Sequence, residues 1–407
     1  MRLVVIGGGA AGFFCAVNAA RLAPSLEVLI IERSSKLLSK VRVSGGGRCN
    51  VTHACFDISD MSRRYPRGSN FLKKSFHQFF TTDTIDWFKE RGVEVRSEED
   101  GRMFPVTNNS QTVIDCMLRD ANRYGVQIRM NQEVLDILQD NGSWILKMAG
   151  GTEETCDFLV IATGGYPKSS MFEWIRKLGH SIEEPVPSLF TFNMPRHPIT
   201  ELMGVSVANA SVKVTGTKLN EQGPLLITHW GLSGPAILRL SAWGARELAS
   251  SKYSFGVVIN WLTDYQEQSM REELVAMKSS SGKQLCHARN NFGLPQRLWQ
   301  FLLSQSGVPS VMNWADMPGA IMNKLSKNLC SYELAISGKT TFKEEFVTAG
   351  GVKLSEIDVN TMQSKIQPNL FFCGEVMDVD GITGGYNFQH AWTSGFIAAK
   401  SIAGKIV

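Results

Sequence analysis

The chain has 407 residues, 43% of them hydrophobic and 20% charged. That composition excludes a disordered, fibrous or disulfide-scaffold protein, and at ~150 residues per domain the length accommodates two or three domains. A net charge of +4 is too small an excess on this length to point to nucleic acid or an anionic membrane.

Residues 2–6 (RLVVI) predict a buried strand, 13–22 an Ala-rich helix ending before Pro24, and 27–31 a second strand closing at Glu32. Residues 44–50 are a Gly-rich loop, and 71–92 place aromatic and polar residues at helical spacing. Phe104-Pro105 reads as the end of a turn, and 110–124 as a helix. Strands are expected at 126–130, 133–139, 143–149 and 157–162, with a β-meander near 130–155. The character changes near 185. Short β-like runs follow at 205–208, 211–215, 224–228 and 253–262, and residues 264–330 turn helical. Strands return at 331–337, 341–349 and 369–373. A Gly-rich turn at 381–385 and a helix over 387–403 close the sequence.

The eight cysteines form no C-x-x-C pair, which argues against zinc and fits a reducing cytosol. No metal is expected. No leader precedes the first strand and no apolar run reaches ~18 residues. The expectation is a cytoplasmic protein that neither enters nor crosses a membrane.

Gly7-x-Gly9-x-x-Gly12 lies between the first strand and helix. Gly7 permits a sharp turn, Gly9 lets the backbone approach a pyrophosphate, and Gly12 lets helix pack on strand. Glu32 follows at the spacing of a carboxylate that accepts from a ribose diol and repels a 2′-phosphate. The reading is FAD or NAD, not NADP. Three later segments favour FAD. Ala162-Thr163-Gly164-Gly165 follows a strand and can return the chain under the cofactor. Gly374-Glu375 follows another, where a carboxylate can hold ribityl hydroxyls. Asn387 and Phe388 open the final helix, whose positive end can face the flavin and ease its reduction.

The same segments carry a family resemblance. GGGAAG (7–12), SGGGRCNVT (44–52), FPVTNNSQTVID (104–115), IATGG (161–165), LLITHWGLSGPAILRLS (225–241), TAGGV (348–352) and CGEVMDVDGITGGYNFQHAWTSG (373–395) resemble the BaiN/RdsA-type (YhiN-like) bacterial flavoproteins. The resemblance implies an NAD(P)/FAD-dependent oxidoreductase fold. By position it implies FAD contacts from Gly9, Ala11, Glu32, Arg33, Lys40, Gly47, Arg48, Cys49, Asn50, Val134, Gly374, Glu375, Asn387 and Phe388. Two departures are His53, where an Asn is usual, and a more cationic 34–43 approach. The expected architecture is α/β: a Rossmann-like FAD-binding domain of the two-dinucleotide flavoprotein type, interrupted by an insert. Its parts are 1–189, an insert at 190–340, and 341–407. The insert combines a β-barrel (190–263 and 331–340) with a small helical subdomain (264–330).

The resemblance also implies a substrate range. Similar proteins reduce conjugated C=C bonds of bile-acid-type enones, reduce a uridine of ribosomal RNA, or oxidise small amines. A reductase is the favoured reading. NAD(P)H is then a transient donor, because no second G-x-G-x-x-G follows a strand. The partner is a small molecule or ribosomal RNA. An amine oxidase and a non-catalytic FAD-binding protein stay open as alternatives.

Three side chains are candidate proton donors: Cys49, His229 and Tyr386. For Cys49 the favoured alternative is a small packing residue against the ring, and for His229 a structural histidine. Arg48 either faces the cofactor or pairs with a carboxylate, and His390 reads as packing. Basic and aromatic residues interleave over 63–80. They form either a nucleic-acid surface or an amphipathic helix with solvated cations.

Overall fold

The computed structural model describes residues 1–340 and 347–406. The chain divides into two units, Met1–Ser188 with Phe342–Val407, and Leu189–Thr341.

The first unit is built on a five-stranded parallel sheet. Its order is 370–372, 158–161, 2–6, 27–31, 127–129. The three central strands read as near-continuous apolar runs because both faces are covered. The first helix is Ala10–Leu22, starting three residues before the expected Phe13 because Gly9 forms its N-terminal boundary. Residues 11–20 of this helix are all buried. Such burial requires cover on more than one side, and the C-terminal helix Tyr386–Ala403 packs against it. A Cβ at Gly395 would come 2.8 Å from the Ala11 carbonyl, so only glycine allows this approach. Phe14 fills the space between, its ring centroid 4.6 Å from Trp87 and 5.2 Å from Trp392.

The β-meander is present as strands 134–140, 143–148 and 153–156. Phe104-Pro105 does not end a turn. Residues 102–105 form the central strand of a small antiparallel sheet with 52–53 and 95–97. The Gly-rich segment is not simply a loop either. Ser39–Gly47 begins as a helix and breaks at Ser44, after which Gly45, Gly46 and Gly47 all adopt positive φ.

The second unit holds a seven-stranded antiparallel sheet. Its order is 332–337, 254–260, 206–214, 220–227, 231–233, 191–193, 339–340. Strand 332–337 alternates buried and exposed residues, as a sheet with one face on a core requires. Helices 267–280, 296–306 and 319–330 follow the expected helical stretch and bury Met270, Trp299 and Leu325 in that core. Of the strand expected at 341–349, residues 341–346 lie outside the described residues. Residues 347–352 pair antiparallel with 182–188 in the first unit. No helix among the described residues is long and apolar enough to cross a membrane.

Candidate cofactor site

The fingerprint glycines are closed on one side and open on the other. Gly7 has φ +115, and a Cβ there would overlap the Ala162 carbonyl. A Cβ at Gly12 would overlap the Gly7 carbonyl, whereas at Gly9 nothing lies within 4 Å. A cradle is therefore free beside Gly9. Helix Ala10–Leu22 begins there with no side-chain cap and no acidic residue in its first turn. Its leading N–H groups lack intrahelical partners, and with the helix dipole they suit a pyrophosphate. The Glu32 carboxylate accepts from Gly8 N and Ser34 N, both at 2.8 Å. Each oxygen keeps a further acceptor site for a ribose hydroxyl.

A cleft of about 500 Å³ runs from Gly7 and Glu32 past Arg33, Val134 and Thr163 to Tyr166 and Trp174. Tyr166 is buried with its ring edge-on to Phe172. Gly164, in the same turn, has φ +74 and open space at its Cβ position. These residues fit the ADP half of FAD in size, donor set and charge.

Across the first helix, Gly374 adopts φ +73, and a Cβ there would come 2.8 Å from Ala11 Cβ. Glu375 Oε2 pairs with Lys40 Nζ at 2.6 Å, and its Oε1 accepts from Thr348 N at 2.9 Å. Gly374 N donates to Ser394 Oγ at 2.9 Å, and its carbonyl lies 3.1 Å from His390 Nε2. A carbonyl only accepts, so this nitrogen carries the proton.

Burial pushes His390 down from the usual 6.5 to about 4. The unfolded chain therefore takes up a proton that the folded chain refuses. Stability is lost as pH falls from about 6.5 to about 4, by about 3 kcal/mol from this group. Thermal unfolding followed from pH 7.5 to 4.5 is expected to show this slope in the wild type. In His390→Gln that share of the slope should vanish; equal slopes would refute the assignment.

The Gly-rich segment departs from expectation in its side chains. Arg48 donates to the Gly45 carbonyl at 3.2 Å, pairs with Glu98 at 2.6 Å and lies 3.9 Å over the Phe104 ring. Its charge is thus compensated by a carboxylate. Cys49 is fully buried, and burial pushes its thiol up to about 12 despite a hydrogen bond to Ser44. The thiol therefore stays protonated, and its full enclosure fits the packing reading. Asn50 Oδ1 accepts from Met103 N at 3.2 Å. Gly47 leaves open space at its Cβ position. Asn387 spends its amide on Gly381, accepting from N at 2.8 Å and donating to O at 3.0 Å, so it shapes the 381–385 loop. Phe388 stacks on Trp392.

The sequence profile of the HI0933-like protein Rossmann domain matches residues 1–401. The chain belongs to the HI0933-like family. It is similar to the Escherichia coli K12 protein named ribosomal RNA dihydrouridine synthase, with 30% identity over 98% of this chain and 97% of that one. It is also similar to the Clostridium scindens protein named 3-dehydro-bile acid delta(4,6)-reductase, with 26% identity over 99% of both chains. In fold it resembles a 3-ketosteroid-delta4-(5alpha)-dehydrogenase of Rhodococcus jostii RHA1, with TM-score 0.52, 13% identity, and coverage of 98% and 96%. This HI0933-like protein is an FAD-dependent oxidoreductase with a Rossmann-type FAD-binding unit.

Of the three proposed donors in the HI0933-like chain, Cys49 and Tyr386 belong to the first unit and His229 to the second. Tyr386 is buried and stacked on His53 with centroids 4.7 Å apart, and its carbonyl accepts from the Tyr65 hydroxyl at 2.6 Å. His229 is exposed in the second unit, its ring against Trp230. The basic stretch is not a stacking surface. Tyr65 and Phe76 are buried, Arg67 is paired with Asp380, and Arg64, Lys73 and Lys74 face solvent. It is the amphipathic arrangement. Sequence reasoning missed Tyr166, Trp174 and Ser394. Tyr166 alone carried a signal, since it directly follows the ATGG turn.

Proposed function

We propose that this protein reduces an electron-poor C=C bond, with NAD(P)H as a transient electron donor. The acceptor is a conjugated small molecule or a uridine in ribosomal RNA. The observation that carries this reading is similarity over nearly the whole chain to two relatives whose names both denote saturation of a C=C bond, a dihydrouridine synthase and a delta(4,6)-reductase.

FAD, when bound, supplies the hydride chemistry. The chain's residues do the rest. The unpaired N–H groups beside Gly9 hold the pyrophosphate, and Glu32 holds the adenosine ribose. The C-terminal helix starts at Tyr386 with no side-chain cap and no acidic residue in its first turn. That end favours negative charge on whatever faces it, which supports reduction over oxidation. The second unit's sheet is antiparallel, so a nicotinamide donor finds no further Rossmann fold among the described residues. It visits the flavin face and leaves. We place the reaction in the cytoplasm, on eight unpaired cysteines.

Anaerobic mixing with NADH or NADPH tests the first half. Rapid loss of flavin absorbance with one donor is expected, followed by reoxidation with a conjugated enone or unmodified ribosomal RNA. A flavin that stays oxidised with both donors overturns the reading. Turnover that collapses as salt rises identifies RNA as acceptor, because phosphate contacts weaken steeply with ionic strength.

A further inference from the structure

The segments that form the cofactor site converge on one short turn, Gly374–Glu375. Gly374 abuts Ala11 at the start of the first helix. Glu375 binds Lys40 and the Thr348 N–H. A Cβ at Gly165, in the ATGG turn, would come 2.8 Å from Glu375 Oε1. A displacement of this turn therefore reaches the glycine loop, the 34–43 approach and the ATGG turn together.

One helix holds both backbone polar groups of Gly374. Ser394 Oγ accepts from its N–H, and His390 Nε2 donates to its carbonyl. The two residues are four apart, so they project from one face of helix Tyr386–Ala403. The serine proton is directed to the His390 carbonyl at 2.7 Å, which leaves its lone pair for Gly374. Both residues are buried. His390 Nδ1 is buried without a hydrogen-bond partner among the described residues. A packing role alone does not account for this, since an apolar side chain fills the space without an unsatisfied nitrogen. The bond to Gly374 is the interaction that sets histidine apart from such a side chain.

We propose that His390 and Ser394 are positioning residues that hold the Gly374–Glu375 turn in the conformation that receives FAD. The proposal rests on the cofactor site described above. Neither side chain needs to touch FAD; they act through the backbone of Gly374 and the carboxylate that follows it.

Titration of the full-length apoprotein with FAD, followed by flavin fluorescence, tests this. His390→Leu is expected to weaken FAD binding about tenfold, the loss of a buried hydrogen bond and the geometry it holds. His390→Gln, whose amide can donate to the same carbonyl, is expected to recover most of that loss. Ser394→Ala is a smaller change that spares folding, and is expected to weaken binding about fivefold. The double variant should lose less than the product of the two, because both residues act on one peptide unit. A merely structural role would lower the apoprotein melting temperature and leave FAD affinity and the Gln rescue unmoved. Unchanged FAD affinity in folded His390→Leu, or no recovery in folded His390→Gln, overturns the proposal. Glu32→Gln is the control. If it loses FAD while His390→Leu does not, the positioning role falls and the cofactor site stands. If neither variant loses affinity, the site assignment itself falls.

Discussion

Arg67→Ala is expected to destabilise the protein by about 3–5 kcal/mol and to release its flavin. The Asp380 side chain is wholly enclosed, and Arg67 bonds both of its oxygens. Ser188 Oγ adds a hydrogen bond at 2.8 Å. Burial pushes the Asp380 carboxyl up, while Arg67 and Ser188 pull it back. Without the guanidinium the carboxylate is stranded in a low-dielectric site, and it must either take up a proton or drag water inward. The damage does not stay local. Asp380 immediately precedes the 381–385 loop that opens the C-terminal helix, and Gly68, beside Arg67, lies against Val379. Thermal unfolding of holoprotein and apoprotein reads the stability, and the flavin-to-protein absorbance ratio reads retention. A variant that melts with the wild type and keeps its flavin would show that the pair contributes little.

Gly12→Ala and Gly9→Ala should separate folding from cofactor binding. At Gly12 the added methyl overlaps the Gly7 carbonyl, a backbone atom that cannot rotate away. The helix must lift from the strand, and a buried element on both sides has nowhere to go. The expected result is a loss of several kcal/mol, beyond the ~1–3 typical of overpacking, and no bound FAD. At Gly9 the methyl meets nothing within 4 Å. Gly9→Ala apoprotein should therefore melt within a degree or two of wild type, like other unstrained surface changes. Its FAD affinity should nonetheless fall by about a hundredfold, because the methyl occupies the space a pyrophosphate needs. If the two variants behave alike in both measurements, the closed and open sides of the loop have been misassigned.

What could be read from the sequence was local. The first strand, the glycine fingerprint and Glu32 all fall within one βαβ unit, where spacing alone dictates geometry. The turn at 162–165 and the helix opening near 387 were legible for the same reason. The partners of charged groups were not. Arg48 looked like a fixed cation until Glu98, fifty residues on, came to meet it. Arg67 belonged to a basic run until Asp380 claimed it from the far end of the chain. Tyr65 and Phe76 appeared beside those cations as a stacking surface, yet each turns inward. His390 was legible as buried but not as a hydrogen-bond donor, since nothing near it in sequence identifies Gly374 as its acceptor. Asn387 was legible as a helix-start residue, but nothing near it in sequence shows that its amide bonds to Gly381, six residues before it.

The interrupted first unit dictates an order of events at the ribosome. The second unit is continuous, so its antiparallel sheet can pair as soon as residues 189–340 have emerged. The first unit has no such freedom. Its edge strand 370–372 and the helix that covers Ala10–Leu22 are translated after the whole insert. Until then a helix with ten successive buried positions lacks its lid. The segment made first is thus among the last to be sequestered, and it is there that a nascent chain would most need a chaperone.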